Sequence, residues 1–318
     1  MFIKRRKLFI LILIIIFAII LGFISKPFGV EKPKVVIILK DVNSQYWEIV
    51  KAGAEKGFRD FRLDGKIIAP VEGTAEEQAN IIKNIYKENP DVLIVAPTSS
   101  LIVIPALDDF VKKYKDIPVL LLDTDDPWKH KTSYIGTDNL DLGKRAGAFL
   151  ASQLQPGDKV ALIGGDPEIP VSGERIQGAK ITLKEAGINI ATEKVGLNNE
   201  NDEKKAMETI LRDHRDVKGI IASNDGMALN ALKVIEEHGL KMPVTGADGI
   251  TEMLELIEEG TLPGSVAQNP YDMGYLSVET ALKVTKGEKV EKNVDSGVDI
   301  IIKDNAEQRL NFLTKLLN

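Results

Sequence analysis

Short runs of residues apolar on both faces alternate with helix-like patterns along most of this chain, and that alternation limits its fold more than any single residue does. "VVIILK" (35–40), "KIIAP" (66–70), "VLIVAPTSS" (92–100) and "IPVLLLD" (117–123) read as strands. Between the first two, Trp47, Val50, Ala54, Phe58 and Phe61 fall on one helical face. Helical patterns also cover about 75–88 and a stretch through about Tyr114. A second series begins after "YIGTDN" (134–139). It runs through a helix at about 140–154, "KVALIGG" (159–165), a helix at 174–186, a strand near 190–195 and a helix at 203–213. "GIIASND" (219–225) with its helix, "PVTGADG" (243–249), "GSVAQNP" (264–270) and a helix at 271–286 complete it. Strands apolar on both faces and separated by helices imply a parallel sheet covered on both sides. At 318 residues the chain exceeds what one core usually holds, so two doubly wound α/β lobes are expected.

Residues 1–30 are a separate object. "KRRK" (4–7) precedes an unbroken apolar run from Leu8 to Ile24. As a helix that run would span roughly 26 Å at about 1.5 Å per residue, close to the ~30 Å hydrocarbon core of a bilayer. The basic flank predicts a cytoplasmic N-terminus, with the rest of the chain outside. No small-x-small cleavage site follows the run, which predicts an uncleaved anchor through residues 8–24. The first 30 residues hold five basic side chains and no acids; the remainder carries 36 basic against 47 acidic, a net of −11. A body this acidic argues against a nucleic-acid partner. The chain has no cysteine, which excludes disulfides, thiolate metal sites, cysteine nucleophiles and a lipid-modified cysteine.

Polar residues recur where strands end: Asn43 with Tyr46 and Trp47, Asp123, Asp138, Asn224, Asp248 and Gln268. In doubly wound sheets ligands sit beyond the carboxyl ends of strands, so this recurrence points to a cleft. Each residue also has a plainer role. Asn224 or Asp225 can cap the following helix, as can Asp248 in "GADGI". Two adjacent side chains cannot both cap one turn, which frees one of the pair to face the cleft. Arg175, in "VSGERIQGAK", is expected in the first turn of a helix, where the dipole disfavours a cation. Trp47 fits the buried stripe, leaving Tyr46 as the aromatic for the cleft. Enzyme signatures are missing: no phosphate loop, no GxGxxG after the first strand, no GxSxG elbow. His130, His214 and His238 lie far apart without metal-binding spacing. No catalytic residue, cofactor or metal is expected.

The blocks "KDVNSQYW", "VAPTSS", "VLLLD", "YIGTDN", "GERIQGAK", "ASNDGMALNAL", "GADG" and "SVAQNP" resemble the ribose/galactose-type sugar-binding proteins of ABC import systems, over about residues 34–303. The resemblance implies a type I periplasmic binding protein fold, two lobes joined by a three-stranded hinge and closing on a monosaccharide. The lobes would be 34–137 with 269–297 and 138–268 with 298–303, crossing near 137–139, 267–269 and 297–299. Residues 304–318 would be a helical extension. Carried over by position, sugar contacts fall on Asn43 or Ser44, Tyr46, Trp47, Asp123, Arg175, Asn224, Asp248 and Gln268. Asn224 would then face the sugar, with Asp225 capping or bracing the helix. Three positions depart from the ribose-specific pattern: Lys40 replaces a serine, Thr124 an arginine, and Leu197-Asn198 an aromatic. These departures weaken the case for ribose itself; a pentose or hexose is expected, with a different polyol as the alternative. The partner would be an ABC permease or, for a membrane-tethered sensor, a histidine kinase.

Overall fold

The computed structural model describes residues 32–197 and 199–317. The apolar run at 8–24 lies outside the described residues. Among those described, no helix is long and apolar enough to cross a membrane.

Two parallel sheets organise the chain. The first holds β1 (Lys34–Ile38), β2 (Asp64–Ile68), β3 (Val92–Val95), β4 (Val119–Leu122), β5 (Ser133–Gly136) and β11 (Asn293–Asp295), in the order β11-β5-β4-β3-β1-β2. The second holds β6 (Lys159–Ile163), β7 (Asn189–Lys194), β8 (Val217–Ala222) and the two-residue β9 (Val244–Thr245), in the order β7-β6-β8-β9. Beside them β10 (Gly264–Gln268) and β12 (Val298–Ile302) pair antiparallel.

Alternate residues of one strand feed opposite layers, as a pleat of period two requires. Val35 and Ile37 pack with Trp47, Phe58, Met273 and Val278, under helices Gln45–Phe61 and Pro270–Thr285. Val36 and Ile38 pack with Ile82, Val103 and Phe110, under helices Ala75–Asn84 and Ser100–Lys113. The second sheet repeats this: Val160 and Leu162 meet Leu142, Ile176 and Leu183, while Ala161 and Ile163 meet Met207, Ala228 and Ile235.

Glycines set the helix spacing that places the candidate site. A Cβ at Gly178 would stand 2.2 Å from Leu140 O, and one at Gly143 would stand 2.1 Å from Arg175 O. Helices Asn139–Ala151 and Pro170–Glu185 therefore touch backbone to backbone, which brings Asn139 beside Arg175. The second of these helices starts at Pro170, not near 174. Proline at the first helical position, where no intrahelical N–H is needed, accounts for the earlier start. Arg175 consequently lies in the second turn, and the dipole argument does not apply to it.

Among the described residues the chain leaves or returns to the first sheet at three places: after β5, toward the second sheet; after β10, returning from the antiparallel pair; and between β11 and β12, toward that pair. Polar side chains lace these connections together. Thr137 Oγ1 lies 3.1 Å from Gln268 Oε1 and 3.3 Å from Ser296 Oγ, and Asn269 Nδ2 donates to Ser296 O at 3.3 Å.

Candidate functional site

The carboxyl ends of β1 and β4 carry the first half of the site. Asp123 follows β4 with φ at +63°, in the left-handed region, and is buried. Its Oδ1 accepts from the Tyr46 hydroxyl at 2.7 Å; its Oδ2 accepts from Lys40 Nζ at 2.8 Å and from Thr124 Oγ1 at 2.8 Å. Burial pushes this carboxyl up, but the adjacent Lys40 ammonium and the three donors outweigh it and hold Asp123 below the usual carboxylate range. Lys40 also donates to Thr124 Oγ1 and stands 5.6 Å from the centroid of the Trp47 ring.

Trp47 is a core residue, packed with Val50, Phe58 and the strand residues of β1. Tyr46 is the aromatic that reaches Asp123, and it meets Trp47 edge to face with centroids 5.0 Å apart. Burial, then the charges of Asp123 and Asp248, push the Tyr46 hydroxyl well up, so it stays a donor at neutral pH; Arg175 works weakly against them. Asn43 and Ser44 are exposed on the loop before Gln45, and their N–H groups donate to Asp41 Oδ1 at 2.8 and 2.9 Å.

The second half is built on the ends of β8, β9 and β10. Arg175 is buried, with only 3% of its surface exposed. Its Nε donates to Asn139 Oδ1 at 2.9 Å and its Nη1 to Ser223 O at 2.8 Å, while Nη1 lies 3.6 Å from Asp248 Oδ1. Asp248 Oδ1 accepts from Gln268 Nε2 at 2.8 Å and its Oδ2 from the Asp225 N–H at 3.0 Å. Asp248 does not cap the helix that follows it: the helix Thr251–Glu259 has Ile250 at its N-cap.

The Asn224–Asp225 pair resolves differently from the sequence expectation. Asn224 is the cap, its Oδ1 accepting from Met227 N at 2.8 Å. Asp225 is fully buried and accepts the N–H groups of Ala247, Asp248, Gly249 and Ile250 at 2.7, 3.0, 2.6 and 3.0 Å. Burial, then the charge of Asp248, push its carboxyl up to about 6 against those bonds. Asp225 thus braces the loop that presents Asp248, and Asn224 keeps only its amide nitrogen for other contacts.

The two halves approach each other. Gln45, on the first lobe's helix, accepts at Oε1 from Thr251 N at 2.8 Å, supplying the side-chain cap that Ile250 cannot. Residue-type reasoning missed Asn139 and Ser223 as supports of Arg175. It noted Lys40 only as a departure from pattern, although a lysine closing an otherwise apolar strand run was a visible signal. Among the described residues, no group of three or more His, Asp or Glu is placed to hold a metal ion.

Chemically, the arrangement supplies two carboxylate–cation pairs, Asp123–Lys40 and Asp248–Arg175, with amide and hydroxyl groups beside them. Carboxylates with acceptor sites left over and an arginine with unused N–H groups form charge-assisted bonds to groups that both donate and accept.

Similar proteins are known along most of the chain's length. The ribose import binding protein of Haemophilus influenzae is 27% identical over 284 residues, 89% of this chain and 96% of that one. The D-ribose/D-allose-binding protein of Pseudomonas aeruginosa is also 27% identical, across 85% of this chain and 87% of that one. Among solved structures, a carbohydrate transporter solute-binding protein of Agrobacterium radiobacter in complex with D-arabinose superposes with a TM-score of 0.79 at 28% identity, covering 91% of this chain and all of that one. A glucose-galactose binding protein of Geobacillus stearothermophilus gives 0.79 at 25% identity, over 86% and 99%. The periplasmic binding protein domain family matches residues 35–289, and the chain, with its two doubly wound lobes in the type I arrangement, belongs to that family.

Proposed function

We propose that this protein is an extracytoplasmic receptor that binds an uncharged monosaccharide, a pentose or hexose, and delivers it to an ABC permease. The lobes are residues 34–137 with 269–297 and residues 138–268 with 298–303, and the sugar is enclosed when they close. The observation that carries this reading is the pairing of charge within each rim. Lys40 lies 2.8 Å from Asp123, and Arg175 lies 3.6 Å from Asp248. In each rim the cation already faces a carboxylate, so among the described rim residues no cation is left over to favour an anionic ligand. The ionised groups still offer strong hydrogen bonds to hydroxyls. Tyr46, Asp123, Arg175, Asp248, Gln268 and the Asn224 amide are the contacts in this reading, with Asn43 and Ser44 on the approach and Trp47 supporting Tyr46 from below. Lys40 and Thr124 shape the first lobe's side of the cleft. The relatives bear names for ribose, allose and arabinose, which supports the ligand class without choosing within it.

A melting-temperature screen of residues 32–318 against D-ribose, D-allose, D-arabinose, D-galactose, D-glucose and glycerol tests the proposal. A sugar at about 100 times its dissociation constant should stabilise the fold by roughly 2.7 kcal/mol. If no pentose or hexose raises the melting temperature, the ligand class is wrong.

A further inference from the structure

Gln268 reaches the rim with its side chain, while its backbone carbonyl is held from behind. Arg309, on the helix Lys303–Leu317, donates Nη2 to Gln268 O at 2.7 Å and Nη1 to Asp299 Oδ2 at 2.9 Å. The same guanidinium lies against Gly249, where a Cβ would stand 3.5 Å from Arg309 Nε. Gly249 follows Asp248 and adopts φ +71°. One cation therefore sits behind both Gln268 and Asp248, which are bonded to each other at 2.8 Å.

Its two acceptors flank two of the three places where the chain leaves or returns to the first sheet. Gln268 ends β10 just before the crossing at 269, and Asp299 lies just after the crossing at 296–297. The helix also touches both lobes. Ala306 and Leu313 are buried with Met253, Leu254 and Ile257 of the second lobe and with Ile49 of the first. Phe312 meets the Tyr271 ring edge to face, centroids 5.2 Å apart, on the helix that returns to the first sheet. This helix lies outside the span 35–289 that matches the family.

We infer that Arg309 is a positioning residue for the candidate site, and that its helix is a strap across the crossings favouring the lobe arrangement in which Gln268 and Asp248 face Asp123 and Tyr46. Rotation of the lobes changes backbone angles at the crossing residues. Gln268 and Asp299 stand on the paired strands β10 and β12, in one lobe, so the fixed fork of the guanidinium fastens the helix to that lobe. With the helix so fastened, rotation would slide Phe312 off Tyr271, on the first lobe's side.

The chain has no native cysteine. Leu101→Cys and Glu168→Cys, at exposed positions on the first and second lobes, therefore accept spin labels without background. Double electron–electron resonance on the full chain, without sugar, should give one dominant inter-lobe distance. Arg309→Met should add a longer-distance population. Asp299→Asn should add less of it, because the Gln268 carbonyl is still held, and Arg309→Lys should fall between, reaching one acceptor at a time. A second arm rests on the proposed function: dissociation of whichever sugar of the screen binds should be roughly tenfold faster in Arg309→Met, the low end for a charge-assisted bond, with association nearly unchanged. A purely structural role would lower the melting temperature and leave the distance distribution alone. Unchanged distances in a folded Arg309→Met would overturn the inference. If that variant does not fold, unchanged distances in both Arg309→Lys and Asp299→Asn overturn it. A chain that binds no sugar defeats the proposed function, while the distance arm still decides the role of Arg309.

Discussion

Asp248 accepts from Gln268 Nε2 and from the Asp225 N–H, with Arg175 3.6 Å away. Removing the whole side chain would take the opposing charge from the buried Arg175 and the acceptor from Gln268 Nε2 and the Asp225 N–H, so Asp248→Ala should lower stability as well as affinity. Asp248→Asn is the sharper test. It keeps the shape and one acceptor oxygen but loses the charge that strengthens bonds to hydroxyls. Sugar binding should weaken about 10-fold or more, from a loss of about 1.5 kcal/mol. The midpoint of a denaturant melt should move far less. Calorimetric titration beside that melt gives both quantities, and an Asn variant that binds as tightly as the parent would make Asp248 scaffold rather than site. Residue identity alone left Asp248 open between cap and contact. Its actual partners come from β10 and from the start of the preceding helix, 20 and 23 residues away in sequence.

At the scale of elements, the turn after β9 depends on one carboxylate. Four consecutive N–H groups, from Ala247 to Ile250, converge on Asp225, which begins the helix Asp225–Glu237. Asp225→Asn offers one oxygen and turns an NH₂ group toward donors that cannot accept it. We expect a loss of about 3 kcal/mol or more, since each unsatisfied buried donor costs about 1–3. Asn224→Ala removes only a helix cap and should cost about 1 kcal/mol. Denaturant melts of the two variants should rank in that order; the reverse order would show that the Asn224 cap matters more to the fold than the Asp225 brace. Helix and strand were visible in "IIASNDGMALNAL" from period and composition. The division of labour between the two polar residues was not, because it depends on a neighbouring turn and not on the helix itself.

At the scale of the whole molecule, acid stability should report the first lobe's ion pair. Asp123 is held below the usual carboxylate range, with Lys40 the chief charge opposing its burial. A carboxyl depressed in the fold contributes stability above its unfolded value, and loses that contribution as pH falls through the folded value. Lys40→Met should therefore cost roughly 1–3 kcal/mol at pH 7, where a buried carboxylate loses its partner. The gap between variant and parent should shrink below about pH 4, near the unfolded value. Equal gaps at pH 7 and pH 3, measured by denaturant melts, would show that Lys40 acts by packing and not by charge.

The amino-acid sequence by itself determined the layered α/β architecture. Strand and helix periods are local properties, and a strand apolar on both faces has few ways to be covered. It also determined where a site could stand, because polar residues at the ends of otherwise apolar runs have nowhere else to go but the sheet edge. Only the tertiary structure decided which of them meet. Lys40 reaches Asp123 across 83 residues of chain, Arg175 reaches Asn139 across 36, and Arg309 reaches Gln268 across 41. No local pattern encodes such pairs. They arise where helices in backbone contact, and strands brought side by side by long crossovers, set distant side chains within a hydrogen bond of each other.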